Sequence, residues 1–144
     1  MYVKTGKEIL SSVLKTSQIN QDGIRSALES AMCPGLRKVL EAQLQEYDRI
    51  ETQALYLASQ RGWELSEAAP VSRYWSGLIC GTGRNRKDLD SHIAGMMIQR
   101  NTRDMVRGMK DQRRLNKEDL QIHTLTQSLL DCEKAYIRQM QCFL

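Results

Sequence analysis

The chain has 144 residues, of which 41% are hydrophobic and 26% are charged. This balance is typical of a single globular domain and excludes disordered, fibrous and membrane-spanning proteins. The formal net charge of +4 is mild, which argues against a dedicated nucleic-acid-binding protein. With only two histidines, the chain is also a poor candidate for most metal centres and acid–base catalysts, which usually draw on histidine.

The N-terminal sequence lacks the apolar run of a signal peptide, and no run of about 18 apolar residues occurs anywhere. We therefore expect a cytoplasmic protein without a membrane partner. The four cysteines, Cys33, Cys80, Cys132 and Cys142, are scattered and form no C-x-x-C pair. This spacing predicts free, reduced thiols rather than a disulfide framework.

Two long amphipathic helices are predicted in the first half of the chain. Apolar and small side chains alternate at spacings of three and four over residues 5–31 and again over 34–61. The break at Cys33-Pro34-Gly35 separates them, because proline at the first position of a helix needs no amide hydrogen bond. Gly62 is expected to end the second helix. The pattern predicts a tight helical hairpin over residues 5–61.

Residues 62–86 lose this periodicity and form the one long connection. Pro70 is expected to open a short helix before Gly81 and Gly83 break it. That helix would carry an apolar cluster of Tyr74, Trp75, Leu78 and Ile79. We expect the cluster to clamp the connection onto the bundle and, secondarily, to offer a homodimer contact, since Trp and Tyr are favoured at interfaces.

A second helical hairpin is predicted over residues 87–143. The third helix, over about 87–112, is expected to turn Ile93, Met97, Asn101, Met105, Gly108 and Met109 toward the core. Asn116 and Asp119 are candidate caps for a fourth helix that continues to the end of the chain. No segment alternates with period two, so no sheet is expected.

These elements predict an all-α fold with one domain spanning residues 1–144. The two short joints force antiparallel neighbours, whereas a connection of more than about 20 residues can run the length of the bundle. We therefore expect a ferritin-like four-helix bundle of two hairpins joined by a long crossover. The alternative is an up-down-up-down bundle in which residues 63–86 only decorate one end.

Two stretches carry a resemblance to a known family. The turn Cys33-Pro34-Gly35-Leu36-Arg37 and the later step Arg61-Gly62-Trp63 resemble the C-P-x-L-R and R-G-W-Y motifs of the spore coat protein F family of Firmicutes. Glu64 stands where that family has tyrosine. The second half, around residues 91–99, is similar to uncharacterised ferritin-like bundles from clostridia. The resemblance implies a bundle with a structural or spore-associated role and no catalytic motif.

A di-metal carboxylate centre in such a bundle needs two Glu-x-x-His pairs. The residues three positions before His92 and His123 are Leu89 and Leu120, so the motif is absent and no cofactor is expected. Positions near the middle of the helices carry a predicted interior polar layer of Ser17, Gln21, Gln43, Tyr47, Asn101 and Cys132. We expect these side chains to hydrogen-bond across the core and fix helix register. Glu51 and Glu133 flank the layer and leave a degenerate metal site as an alternative.

The third helix also carries a row of cations, Arg100, Arg103, Arg107, Lys110 and Arg114. This row is a candidate anion-contact face, although the absence of neighbouring aromatics disfavours nucleic acid. The favoured interpretation is a solvated face partly paired with Asp104 and Asp111.

Nucleophilic catalysis is not expected, since Cys33 is the only thiol at a helix start and lacks a histidine partner. The sequence predicts a non-enzymatic structural or interaction module with a protein partner or a second copy. The alternatives are a degenerate metal- or redox-active bundle and a polyanion-binding protein.

Overall fold

The computed structural model describes residues 5–31, 33–68, 86–114 and 119–144. These residues form four helices and no strand: α1 (Gly6–Ser30), α2 (Pro34–Gln60), α3 (Arg86–Arg114) and α4 (Leu120–Gln141). The predicted all-α, four-helix architecture is confirmed. The predicted cluster of Tyr74, Trp75, Leu78 and Ile79 lies outside the described residues. None of the described helices is long and apolar enough to cross a membrane.

The turn between α1 and α2 is closed by the residues of the C-P-x-L-R stretch. Pro34 is the first residue of α2, where its missing N–H costs nothing. The Arg37 guanidinium reaches back and donates to the carbonyl oxygens of Leu28 and Ala31. These carbonyls belong to the end of α1, whose last turn has no amide partners of its own. Arg37 therefore caps α1 from the first turn of α2.

The opposite end of the bundle is fixed by the residues of the R-G-W stretch. The Arg61 guanidinium donates to both carboxylate oxygens of Asp119, at 3.0 and 2.9 Å. Asp119 also caps α4, as predicted, by accepting from the backbone N–H of Ile122 at 3.2 Å. The same guanidinium lies 5.8 Å from the ring centroid of Trp63. One arginine thus ties the end of α2 to the start of α4.

Between Arg61 and Trp63 the chain turns through Gly62, whose φ is +66°. A side chain with a Cβ disfavours this left-handed conformation, by roughly 1–2 kcal/mol. A Cβ at Gly62 would have nothing within 4 Å, so the cost of an added methyl group is set by the backbone alone.

Gly62→Ala is therefore expected to lower the free energy of unfolding by about 1 kcal/mol, measured by urea denaturation. Gly95→Ala is the matched control, because Gly95 lies inside α3 and an added Cβ there would meet only Leu144 at 3.9 Å. It is expected to raise stability by roughly 0.5–1 kcal/mol through helix propensity. Equal shifts in the two variants would contradict the role of the left-handed turn.

α1 runs antiparallel to α3, as two hydrogen bonds along their interface indicate. The Ser12 hydroxyl donates to Asp111 at 3.1 Å, and the Asn20 amide donates to Asp104 at 2.8 Å. As residue numbers rise along α1, they fall along α3.

α2 runs antiparallel to α4 in the same way. The Gln43 amide donates to Gln139 at 3.1 Å, and the Tyr47 hydroxyl lies 2.9 Å from Glu133. Each helix of one hairpin therefore has an antiparallel partner in the other hairpin.

The core draws apolar side chains from all four helices. Its largest fully buried side chains are Tyr47 and Tyr136, whose rings meet edge to face with centroids 5.4 Å apart. Leu10, Leu40 and Ile93 are also fully buried in this core. Polar atoms therefore reach the middle of the bundle inside an otherwise apolar core, which is where the predicted polar layer lies.

Candidate functional site

The structure places five of the six predicted polar-layer residues inside the bundle. Ser17, Gln21, Gln43, Tyr47 and Asn101 are each at most 2% exposed. Cys132 is half-buried instead and packs at the edge of the core. The sequence pattern alone did not identify further interior polar residues as members of this layer, among them Asn20, Asp104 and Glu133.

Tyr47 is the centre of the layer because it joins three helices. Its hydroxyl lies 2.9 Å from Glu133 Oε1 on α4 and 3.3 Å from Asn101 Oδ1 on α3. A tyrosine hydroxyl has one hydrogen to donate, yet both neighbouring atoms are oxygens. Both contacts become hydrogen bonds if Glu133 is protonated, so that Glu133 donates to Tyr47 and Tyr47 donates to Asn101.

The surroundings of Glu133 favour that protonated form. The side chain is 1% exposed. Burial raises the pKa of Glu133 well above its usual value, and the charge of Asp104 raises it further, against smaller opposing effects of Tyr47 and Arg100. Among the described residues its second oxygen, Oε2, has no hydrogen-bond partner. Burying this oxygen without a hydrogen bond costs much free energy when the carboxylate is charged and much less when the acid is neutral.

Asp104 also belongs to the polar layer. Its burial shows that the predicted packing of α3 is partly wrong. It is 5% exposed, accepts from Asn20, and lies 3.7 Å from the Arg100 guanidinium. Burial raises the pKa of Asp104, and the positive charge of Arg100 opposes that shift. The sequence instead predicts a solvated Asp104 side chain.

The predicted apolar seam of α3 is therefore wrong beyond Asn101. Asp104 and Asp111, both 5% exposed, occupy the buried positions, whereas Met105 is half-buried and Met109 is 41% exposed. The physical reason is that α1 offers polar partners there, since Asn20 and Ser12 donate to the two carboxylates. Polar side chains can enter a core where each finds a hydrogen bond.

The cavity beside the polar layer is too small for a small-molecule substrate. An enclosed cavity of about 20 Å³ lies among the side chains of Thr16, Asp104, Asp111, Thr126 and Glu133. That volume accommodates about one water molecule, whereas ligand pockets are typically some hundreds of Å³. Among the residues that the structure describes, no group of three His, Cys, Asp or Glu side chains is arranged to hold a metal ion.

Glu51, the other predicted candidate ligand, lies elsewhere. It accepts a hydrogen bond from the Gln21 amide and lines an open cleft between α1 and α2 together with Asp22, Asp48 and Glu67. Glu133 lines the enclosed cavity instead. Glu51 and Glu133 are therefore not brought together.

The half-buried thiol of Cys132 is held in its unreactive form. Its Sγ lies 3.2 Å from a carboxylate oxygen of Glu46. Burial raises the pKa of Cys132 to about 11, and the neighbouring Glu46 adds to the effect. A thiol needs its thiolate form to act as a nucleophile, so Cys132 is poorly suited to nucleophilic catalysis near neutral pH.

The described part of the polar layer is linked by hydrogen bonds, except that the Ser17 hydroxyl, expected to bond across the core, has no partner there. The described residues contain no arranged set of metal ligands. No protein-family model, curated protein or solved structure matches the chain. The assignment of function therefore depends on the geometry of the residues themselves.

The predicted row of cations on α3 is only partly exposed. Arg103, Arg107 and Lys110 are exposed, whereas Arg100 and Arg114 are half-buried. Asp104 and Asp111 had been expected to share the solvated face with these cations. The expected pairing is present for Asp104, which lies 3.7 Å from Arg100 and 4.0 Å from Arg107. The two carboxylates themselves are buried rather than solvated.

Proposed function

We propose that the protein is a non-enzymatic structural or interaction module, a ferritin-like bundle with a hydrogen-bonded polar layer where related folds hold metals. The observation that carries the proposal is the contact of Tyr47 with Glu133 and Asn101, which joins three helices through side chains. Such a layer fixes the relative register of the helices, as a buried polar residue does in a coiled coil. It supplies no nucleophile and no open coordination position.

Two contacts support the ferritin-like connection of the hairpins. Arg61, just past the end of α2, lies against Asp119 at the start of α4. The backbone N–H of Cys33, in the α1–α2 turn, donates to Asp90 in the first turns of α3 at 2.9 Å. The end of α2 and the start of α3 therefore belong to opposite ends of the bundle. This arrangement supports the proposed crossover along the bundle.

The resemblance to the spore coat protein F family is part of the same proposal. Arg37 and Arg61, which belong to the two resembling stretches, close the two ends of the hairpin. The two arginines hold helix ends together and have no catalytic role, which suits a structural protein. We also propose a cytoplasmic or spore-associated setting, and a homodimer contact through the cluster of Tyr74, Trp75, Leu78 and Ile79.

The alternative function is a degenerate metal- or redox-active bundle. One observation favours it: Glu133 Oε2 lacks a hydrogen-bond partner among the described residues and lines the enclosed cavity with Asp104. A hard divalent cation prefers several carboxylate oxygens, and two buried carboxyl groups are a minimal set.

Metal analysis of the protein purified without chelators separates the two functions. We expect substoichiometric iron, manganese, zinc, magnesium and calcium, both in the wild type and in Glu133→Gln, because the donor set is incomplete. The comparison with Glu133→Gln shows whether any metal found belongs to the interior. One equivalent of metal per chain that is lost in Glu133→Gln would overturn the structural proposal.

A further inference from the structure

The second half of α3 has a cationic outer surface that its own carboxylates balance only in part. Between residues 91 and 114 the only acidic residues are Asp104 and Asp111, and both are buried against α1. Asp104 pairs with the half-buried Arg100 at 3.7 Å and with the half-exposed Arg107 at 4.0 Å. Among the described residues, no ion pair is formed by Arg103 or Lys110. Folding thus turns both carboxylates inward and leaves three cations of the row exposed, Arg103, Arg107 and Lys110.

The cations follow a regular spacing. Arg100, Arg103, Arg107, Lys110 and Arg114 alternate at intervals of three and four residues. On a helix this spacing produces one nearly straight row, and 14 residues at 1.5 Å each give a length of about 21 Å. A partner with negative charges at the same spacing would meet the three exposed cations, Arg103, Arg107 and Lys110, at once.

Two aliphatic side chains lie beside the row. Val106 is 40% exposed and Met109 is 41% exposed. At 3.6 residues per turn, Arg103, Val106, Arg107, Met109 and Lys110 fall within about 160° of the helix circumference, and we call this surface the basic face. It combines cations with apolar contact area, as the binding surface for an amphipathic partner does.

We infer that the basic face binds an acidic amphipathic helix of a protein partner, with carboxylates at three- and four-residue spacing and apolar side chains beside them. This deepens the proposed interaction role and rests on it. Arginine suits such a partner because its planar guanidinium pairs with carboxylates through two hydrogen bonds. Val106 and Met109 supply the apolar contact between the two helices.

Other anionic partners fit this surface less well. α3 contains no Phe, Tyr or Trp, so it offers no ring on which unpaired bases could stack. Two half-exposed aliphatic side chains are too little apolar area for insertion into a lipid bilayer. An acidic amphipathic helix pairs its carboxylates with the cations and packs its apolar side chains against Val106 and Met109.

Fluorescence anisotropy with a labelled synthetic peptide tests the inference on the full chain. The probe is an amphipathic helix with glutamates at alternating spacings of three and four and leucines beside them. Its scrambled sequence, a short DNA duplex and phosphatidylcholine–phosphatidylglycerol vesicles are measured in parallel. We expect the peptide to bind more tightly than its scrambled form, the duplex and the vesicles, and to bind less tightly as salt is raised.

Charge reversal locates the binding surface. Arg103→Glu with Lys110→Glu is expected to weaken peptide binding at least about tenfold. Lys38→Glu with Lys134→Glu changes the net charge equally at exposed positions on α2 and α4, and it is expected to shift the affinity by less than about twofold. Circular dichroism confirms that each variant is folded.

Three results would overturn the inference: no binding of the peptide, equal weakening by both pairs of substitutions, or tighter binding of the duplex or the vesicles than of the peptide. None of them bears on the metal content, which tests the proposed function separately. Failure of the partner inference is therefore distinguishable from failure of the structural role.

Discussion

Tyr47→Ala is expected to lower the free energy of unfolding by about 4 kcal/mol, as large-to-small aromatic substitutions in cores do. Tyr47 is fully buried, its ring packs against Tyr136, and its hydroxyl contacts Glu133 and Asn101. The variant leaves a cavity and also removes the hydrogen-bond partner of two buried polar groups. Chemical denaturation followed by far-ultraviolet circular dichroism measures the change.

One further variant separates the contribution of the Tyr47 hydroxyl from that of its ring, and a second serves as a control. Tyr47→Phe keeps the ring and is expected to cost about 1–2 kcal/mol, because Glu133 and Asn101 lose a buried partner. Tyr56→Ala is the matched control, since Tyr56 lies on the same helix and is 59% exposed; a change of less than about 0.5 kcal/mol is expected. A Tyr47→Phe variant as stable as the wild type would contradict the structural role of the polar layer.

The helices and the turn between the first two were predictable from local pattern. The alternation of three and four along α1, α2 and α4 is produced by a single buried stripe, and Pro34 marks the start of α2, since a proline at the first helical position loses no hydrogen bond. The cap at Asp119 was predictable for the same reason, since its carboxylate serves the adjacent amide of Ile122.

The packing of α3 was not predictable from its own sequence. Met105 and Met109 are more apolar than Asp104 and Asp111, so periodicity favours the wrong face of the helix beyond Asn101. The burial of Asp104 depends on Asn20, which is 84 residues away. The polar partner of Asp104 belongs to α1, so the periodicity of α3 alone cannot predict that Asp104 is buried.

The polar layer was predictable from the sequence only in part. Tyr47 and Asn101 lie on predicted seams, so their burial followed from spacing. Glu133 lies at the edge of its seam, and only the contact with Tyr47 shows that it faces inward. The roles of Arg37 and Arg61 were likewise hidden, because each acts on a helix other than its own.

Glu133 makes the stability of the protein depend on pH in an unusual direction. Because burial raises the pKa of Glu133 above its ordinary value of 4.5, the folded chain holds a proton that the unfolded chain releases. The stabilising contribution is fully present below pH 4.5 and is lost as the pH rises through the folded-state pKa. In that window the loss is about 1.4 kcal/mol per pH unit. Asp104, whose pKa is also raised by burial, changes stability in the same direction.

Glu133→Gln isolates this contribution. A glutamine amide has nearly the shape of a protonated glutamate and can donate to the Tyr47 hydroxyl, but it does not titrate. The variant is therefore expected to resemble the wild type in stability at low pH and to exceed it at higher pH. Asp104 titrates in both proteins, so its contribution largely cancels in the comparison.

The most direct test of a protonated, hydrogen-bonded interior is the difference in unfolding free energy between Glu133→Gln and the wild type, measured by urea denaturation at about pH 5 and about pH 8. The predicted result is a difference that shifts in favour of Glu133→Gln by more than about 1 kcal/mol between the two pH values. A difference that stays constant, or shifts in favour of the wild type, would show that Glu133 is already charged in the folded protein and would contradict this account of the polar layer.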